Sequence, residues 1–166
     1  ADFINKDFLS VDLHEINDSS LIIMGNLPYN VSSQIILNIL ESNIEYEHCI
    51  FLIQKELAQR FCPEIKSSKI SLIAEFFSDF EILFDIPPEA FYPKPKVTSS
   101  LVKIKKHGRF NDKKDSFISL KQILSLCFAN PRKKISNPLK NIFDVMPKFS
   151  FDINSRPEEL EMQNYF

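Results

Sequence analysis

Apolar runs and polar breaks alternate along the first two thirds of this chain. Leu21-Ile22-Ile23-Met24-Gly25 is a short continuous apolar run, the kind that fits a strand buried on both faces of a parallel sheet. Pro28 ends it, because proline has no N–H and restricts Leu27 before it. Ile35, Ile36, Ile39 and Leu40 recur at helical spacing, and Ser32 or Ser33 is placed to cap the helix they predict. Cys49-Ile50-Phe51-Leu52-Ile53 is a second buried-strand candidate, followed by a short helix from Gln54 to Phe61. Residues 70–77 fit helix or strand equally, and Phe80 to Phe84 alternates as a strand. A loop stiffened by Pro87, Pro88, Pro93 and Pro95 leads to a final strand from Val97 to Ile104. At the front, Phe3-Ile4 and Leu9–Val11 flank Asp7 and read as a strand running into a loop.

Beyond this point the pattern changes. Lys105 to Ser116 reads as a polar linker, and helical patterns follow over Ile118–Phe128, Lys133–Phe143 and Pro157–Phe166. Strands alternating with helices, then helices alone, predict an α/β domain over 1–104 and a small all-α domain over 105–166. A length of 166 residues agrees with one domain plus a small appendage. There is no internal repeat.

Composition removes several kinds of chemistry. The chain has 2 glycines, Gly25 and Gly108, where ordinary usage gives about 12, so neither G-x-G-x-x-G nor a P-loop can be written. The 16 phenylalanines read first as core. The three cysteines form no C-x-x-C pair, which suits a reducing compartment, and Cys49 and Cys127 sit in apolar runs as inert packing. His14, His48 and His107 have no ligand spacing with them, so no metal site is expected. No run approaches a bilayer span and Ala1–Lys6 does not resemble a signal peptide. The expectation is a cytoplasmic protein with no membrane contact.

Charge is segregated. The net charge of −2 hides a segment, Lys94 to Lys148, with 14 Lys/Arg against three acids, while the rest holds 6 against 19. A basic segment suits a polyanion, nucleic acid being the commonest, although a solvated lysine-rich face gives the same pattern.

The residues with the most specific chemistry are Asn26-Leu27-Pro28-Tyr29. They follow a buried strand, and ligands of open α/β sheets sit outside the carboxyl ends of strands. An exocyclic base amine is a poor nucleophile because its lone pair is delocalised into the ring. Two acceptors on its two hydrogens favour a pyramidal nitrogen and aim the lone pair. The Asn26 side-chain oxygen and the carbonyl of Leu27 or Pro28 can supply them, by positioning and preorganised electrostatics. Tyr29 can stack on a base that has left its helix. Asn-x-Pro is also an ordinary turn after a strand.

Five ordered blocks carry a resemblance. Ile23 to Ser33, with Asn26-Leu27-Pro28-Tyr29 at its centre, resembles motif IV of the KsgA-type rRNA adenine N6-dimethyltransferases. Leu52 to Arg60 is similar to that family's Gln-Lys-Glu helix, and Phe91 to Ser100 to its F-x-P-x-P-K-V-x-S block. Phe128 to Asn137 is similar to the R-R-K-x-x-R-N segment, and Arg156 to Leu160 to the closing R-x-E-x-L. The Erm methyltransferases of large-subunit rRNA share the first and third blocks; Arg132 to Asn137 favours the KsgA branch.

The resemblance implies the C-terminal part of a Rossmann-like class I methyltransferase sheet, S-adenosylmethionine as donor, and dimethylation of two adjacent adenosines near the 3′ end of small-subunit rRNA in an immature 30S particle, by a monomer. Asn26, Leu27, Pro28 and Tyr29 would hold the target adenine, with Phe91 as the second aromatic face; Tyr29 in a core and Phe91 as a loop anchor are the plainer alternatives. Asp7, Phe8 and Asn26 would contact the donor, Asp7 otherwise being a loop cap. Lys94, Lys96, Lys103, Lys105, Lys106, Arg132, Lys133, Lys134 and Lys140 are the candidates for RNA phosphate contact. A Gly-rich first motif and an acidic ribose ligand precede the Asp7 position in the family, and neither is in this sequence. The family's Tyr-Gly turn is likewise lacking after Lys69. The expectation is therefore a chain without its N-terminal part, inactive by itself, with an exposed strand edge near Phe3. A non-catalytic RNA-binding or ribosome-assembly module of the same fold is the competing expectation.

Overall fold

The structure is a computed structural model that describes residues 5–13, 16, 21–42, 44–64 and 66–166. The strand end expected at Phe3-Ile4 lies outside these residues. The chain divides into two compact units, Ala1–Gln59 with Phe77–His107, and Arg60–Phe76 with Gly108–Phe166.

The first unit is built on a four-stranded sheet of β1 (Leu21–Asn26), β2 (Tyr46–Gln54), β3 (Ser78–Ile86) and β4 (Ser99–Lys106), in the order β1-β2-β4-β3. β1 runs parallel to β2, and β4 runs antiparallel to both of its neighbours. The carboxyl ends of β1, β2 and β3 therefore lie at the edge where β4 begins. Helix α1 (Ser32–Glu41) is the crossover between β1 and β2, and it buries Ile35, Ile36, Ile39 and Leu40 as their spacing predicts. Cys49, Phe51 and Ile53 of β2 and Val102 and Ile104 of β4 are buried in the same unit. Helix α2 (Lys55–Phe61) follows β2 without a break.

β1 departs from expectation. Alternate residues are exposed, Ile22 at 53% and Met24 at 70%. Among the described residues β1 has a strand neighbour on one side only, so its apolar run is half-covered rather than buried on both faces. The α1 cap also differs. Val31 is the N-cap and makes no side-chain cap bond; Ser32 lies inside the helix and donates back to the Pro28 carbonyl at 2.7 Å.

In the second unit the ambiguous run becomes a helix, α3 (Lys69–Phe77), with Ser71, Leu72, Ile73, Ala74 and Phe76 buried. Burial nearly all round explains why periodicity could not tell it from a strand. Helix α4 (Phe117–Phe128) buries Leu120, Leu124 and Cys127 at helical spacing. Phe76 packs against Phe117, ring centres 4.9 Å apart, and against Phe110 at 5.8 Å. The expected linker is shorter than its composition implied: Lys105 and Lys106 belong to β4, and Asn111–Ser116 forms a 3-10 helix.

The last two predicted helices are largely replaced by turns. Only α5 (Ser136–Leu139) is helical within 133–143; Pro138 carries no N–H and disfavours the helical region at Asn137. Pro157–Glu159 and Met162–Tyr165 are separate 3-10 turns. The Glu159 carboxylate accepts from the Arg156 N–H at 2.7 Å, and the Asn164 side chain accepts from the Glu161 N–H at 3.0 Å. The first is a capping bond that a helix start would keep, whereas the second takes a backbone donor, the Glu161 N–H, that a continuous helix would use.

Candidate active site

The loop after β1 is tied to its surroundings at three points. The Leu27 N–H donates to the Leu52 carbonyl at 3.1 Å, which extends the β1–β2 ladder one residue into the motif. The Tyr29 hydroxyl lies 2.7 Å from the hydroxyl of Ser99, the fully buried first residue of β4. The Pro28 carbonyl accepts twice, from the Ser32 hydroxyl at 2.7 Å and the Val31 N–H at 3.1 Å. Gly25 belongs to the same arrangement: a Cβ there would stand 3.1 Å from Leu27 Cδ2 and 3.5 Å from Phe51 Cδ1, so its bare backbone leaves room for the buried Leu27 side chain.

These ties leave two acceptors over. The Leu27 carbonyl receives no donor among the described residues, and neither does the exposed Asn26 carboxamide oxygen. Asn26 and Leu27 both line a cleft of about 350 Å³, together with Pro28, Tyr29 and Phe91. All five residues singled out from the sequence for the target base thus share one concavity at the carboxyl end of β1. Tyr92, Pro93 and Pro95 complete the lining; sequence reasoning named none of the three as a site residue, Pro93 and Pro95 having read only as stiffening the loop.

A network flanks the first residues of β4 and α2. Lys55 Nζ lies 2.5 Å from Asp85 Oδ2, and the buried Ser100 hydroxyl donates to Asp85 Oδ1 at 2.6 Å. Hydrogen bonds from Lys55 and then Ser100 hold the Asp85 carboxyl below its usual range. The Lys55 N–H donates to the Thr98 carbonyl at 3.0 Å, fixing the end of the proline-rich loop. Sequence reasoning did not find this network, because nothing in the pattern brings residues 55, 85 and 100 together.

Of the candidate cofactor residues, Asn26 lines the cleft, whereas Asp7 and Phe8 lie elsewhere in the first unit. Asp7 caps a 3-10 turn, Phe8–Ser10, its Oδ1 accepting from the Leu9 N–H at 3.1 Å. Asp7 is exposed and Phe8 half-buried. A larger cavity of about 570 Å³ opens between Leu9–Leu13 and α1. It was not expected from the sequence, and neither Asp7 nor Phe8 lines it.

The candidate RNA-binding residues are scattered. Lys94 is paired with Glu89 at 2.6 Å, while Lys96 is exposed and has no ion-pair partner among the described residues. Lys103 and Lys105 face Glu81 and Asp79 across the β3–β4 ladder, and Lys105 and Lys106 lie at the end of β4 away from the cleft. Lys106 donates to Glu45 and to the Ile44 carbonyl, each at 3.0 Å, and its ammonium stands 5.3 Å from the Tyr46 ring centre. In the second unit Arg132, Lys133 and Lys140 are exposed, and the exposed Lys134 donates to the Asn154 side chain at 3.1 Å.

Burial pushes the thiols of Cys49 up to about 12 and of Cys62 and Cys127 up to about 11, which is the opposite of an activated nucleophile. Among the described residues no group of His, Cys, Asp and Glu is arranged to hold a metal ion, and no helix is long and apolar enough to cross a membrane.

The strand order and the motif beyond a sheet strand are those of a Rossmann-like methyltransferase. The fold matches a dimethyladenosine transferase from Plasmodium falciparum with a TM-score of 0.73 at 19% identity, covering 87% of this chain and 63% of that one. It matches the 23S rRNA methyltransferase ErmE with a TM-score of 0.67 at 20% identity, covering 84% of this chain and 56% of that one. At these identities the likeness is one of fold.

The family is shown by sequence. Residues 1–156 match the family described as ribosomal RNA adenine dimethylase, and the chain belongs to that family. It is 36% identical over 174 residues to the ribosomal RNA small subunit methyltransferase A of Pelagibacter ubique, covering 98% of this chain and 66% of that protein. The protein of the same name from Aliarcobacter butzleri is 36% identical over 163 residues, covering 92% of this chain and 60% of that protein. The chain thus spans about 60–66% of the length of the curated relatives it matches.

Proposed function

We propose that this chain supplies the target-binding part of a whole protein that dimethylates N6 of two adjacent adenosines near the 3′ end of small-subunit rRNA, acting in the cytoplasm as a monomer on an immature 30S particle, and that residues 1–166 by themselves do not turn over. The observation that carries the reading is the pair of unused acceptors. The Asn26 carboxamide and the Leu27 carbonyl remain for a ligand, while the Pro28 carbonyl is consumed by Ser32 and Val31. Of the two carbonyls compatible with the motif, Leu27 is therefore the one assigned to the amine.

The chain's own residues then do three things. Asn26 and Leu27 accept from the two N6 hydrogens and turn the lone pair away from the ring. Tyr29, braced by Ser99, and Phe91 take the two faces of the extruded base. The loop holds these groups before the base arrives, so little is lost to ordering at the moment of reaction.

S-adenosylmethionine is the donor we assign, and it supplies an electrophilic methyl carbon on a sulfonium. The residues present fit its adenine end in one respect. Asp7 spends Oδ1 on Leu9 and keeps Oδ2 free of protein donors among the described residues, so a ring amine can bind there. Asp7, Phe8 and Asn26 are the residues assigned to hold it.

Incubation of the whole protein with S-adenosylmethionine and unmodified small-subunit rRNA, followed by nuclease digestion and mass spectrometry, tests the reading. N6,N6-dimethyladenosine in that RNA supports it. Product only in large-subunit RNA would support an Erm-like role instead, and RNA binding without product would support a non-catalytic assembly module; either overturns it.

A further inference from the structure

The proposed use of the cleft leaves one lining residue without a task. Tyr92 is 102% exposed, whereas the next most exposed aromatic among the described residues is Phe84 at 55%. Its ring is therefore bare to solvent, yet it stands on the lining of the cleft beside Phe91. A ring kept in water forgoes the free energy that burial would give it, so its position calls for a partner that the chain itself does not provide.

The loop around it is stiff. Pro93 and Pro95 fix φ on its C-terminal side, Pro87 and Pro88 do so before it, and strands β3 and β4 anchor its two ends. The backbone that carries the ring therefore loses little freedom on meeting a planar ligand. Lys96, exposed and without an ion-pair partner among the described residues, follows four positions later in the same loop. A bare aromatic face at the lip of a cleft that takes a planar ring, with a cation four residues on in the same loop, is the chemistry of a single-stranded nucleic-acid platform.

We infer that Tyr92 is a stacking site for a second, unpaired nucleobase of the RNA, the neighbour of the one received between Tyr29 and Phe91. The inference rests on the proposed function and adds to it: the cleft grips two successive bases, one inside and one on its rim. Stacking carries no charge, so the site contributes affinity without counterion release.

The test is binding of a short single-stranded RNA with two adjacent adenines, read by fluorescence anisotropy for wild type, Tyr92→Ala, Tyr92→Leu, Tyr92→Phe and Tyr92→Trp. Tyr92→Ala and Tyr92→Leu are expected to weaken binding roughly 10- to 100-fold, while Phe and Trp stay within about twofold. The slope of log Kd against log salt is expected to be the same for all five. Replacing the base next to the target with an abasic nucleotide is expected to bring wild type and Tyr92→Ala together. Equal affinity of wild type and Tyr92→Ala on the intact RNA overturns the inference, as does a difference that survives the abasic replacement. Dimethyladenosine formation by the whole wild-type protein, measured alongside, separates the two claims. If product forms and Tyr92 is silent, only the stacking site fails; if no product forms from the whole protein while Tyr92→Ala weakens binding in the base-dependent way, only the proposed function fails.

Discussion

The Tyr29 hydroxyl and the Ser99 hydroxyl, 70 residues apart in the chain, meet at 2.7 Å where β4 begins. Ser99 is fully buried and Tyr29 half-buried, so the two ends of this bond are unequal. Tyr29→Phe leaves a buried hydroxyl without its partner and is expected to cost about 1–3 kcal/mol, whereas Ser99→Ala lets the phenol turn to water and costs about 1 kcal/mol. Urea denaturation of both single variants and the double variant measures the coupling. In the whole protein Ser99→Ala is also expected to raise KM for RNA more than it lowers kcat, because the ring is loosened rather than removed.

The Lys55–Asp85–Ser100 network has a pH signature. A carboxyl held below its ordinary range stabilises the fold fully above the unfolded value of about 3.9, and that contribution fades as pH falls through the lower folded value. Asp85→Asn is therefore expected to be less stable than wild type at neutral pH and to converge with it in acid. Both partners are partly exposed, with side-chain accessibilities of 44% and 39%, so added salt is expected to narrow the neutral-pH difference too. Urea melts at both pH values and two salt concentrations check it.

The cysteines are expected to be silent. Cys49 and Cys127 are 0% and 1% exposed, with thiols pushed up to about 12 and about 11 by burial. Iodoacetamide at mildly alkaline pH is expected to leave both unmodified in the folded protein and to label all three thiols in denaturant, with Cys62 in between. Peptide mass spectrometry reads the outcome.

Helix α4 separates core from surface within one element. Leu124 is 0% exposed and Ile118 is 72% exposed. Leu124→Ala is expected to destabilise by about 2–5 kcal/mol and Ile118→Ala by under about 0.5 kcal/mol. Thermal unfolding of the two variants distinguishes them.

Much of this was legible from residues alone. The apolar run 21–25, the proline break and the isoleucine face of α1 predict the strand–loop–helix that carries Asn26 and Tyr29, because each signal is local. What escaped was non-local. The exposure of Ile22 and Met24 depends on which strands stand beside β1. The acidic neighbours of Lys103 and Lys105 depend on the β3–β4 register, and these lysines had read as candidates for RNA phosphate contact. The helix expected over 133–143 was interrupted by Pro138 and the one over 157–166 by the side chain of Asn164, competitors that hydrophobic periodicity does not weigh. Tyr92 was invisible because exposure is a property of the loop and not of the residue type.

The grip of Asn26 on the target amine is tested most directly by the single-turnover rate of dimethyladenosine formation by the whole protein, Asn26→Ala against wild type, at saturating RNA and S-adenosylmethionine. Asn26 is exposed and its carboxamide has no partner among the described residues, so the variant is expected to unfold at the wild-type temperature. Its rate is expected to fall by about a hundredfold or more, as when one preorganised hydrogen-bonding group is lost from an active site. An unchanged rate in a folded Asn26→Ala protein would contradict the assignment.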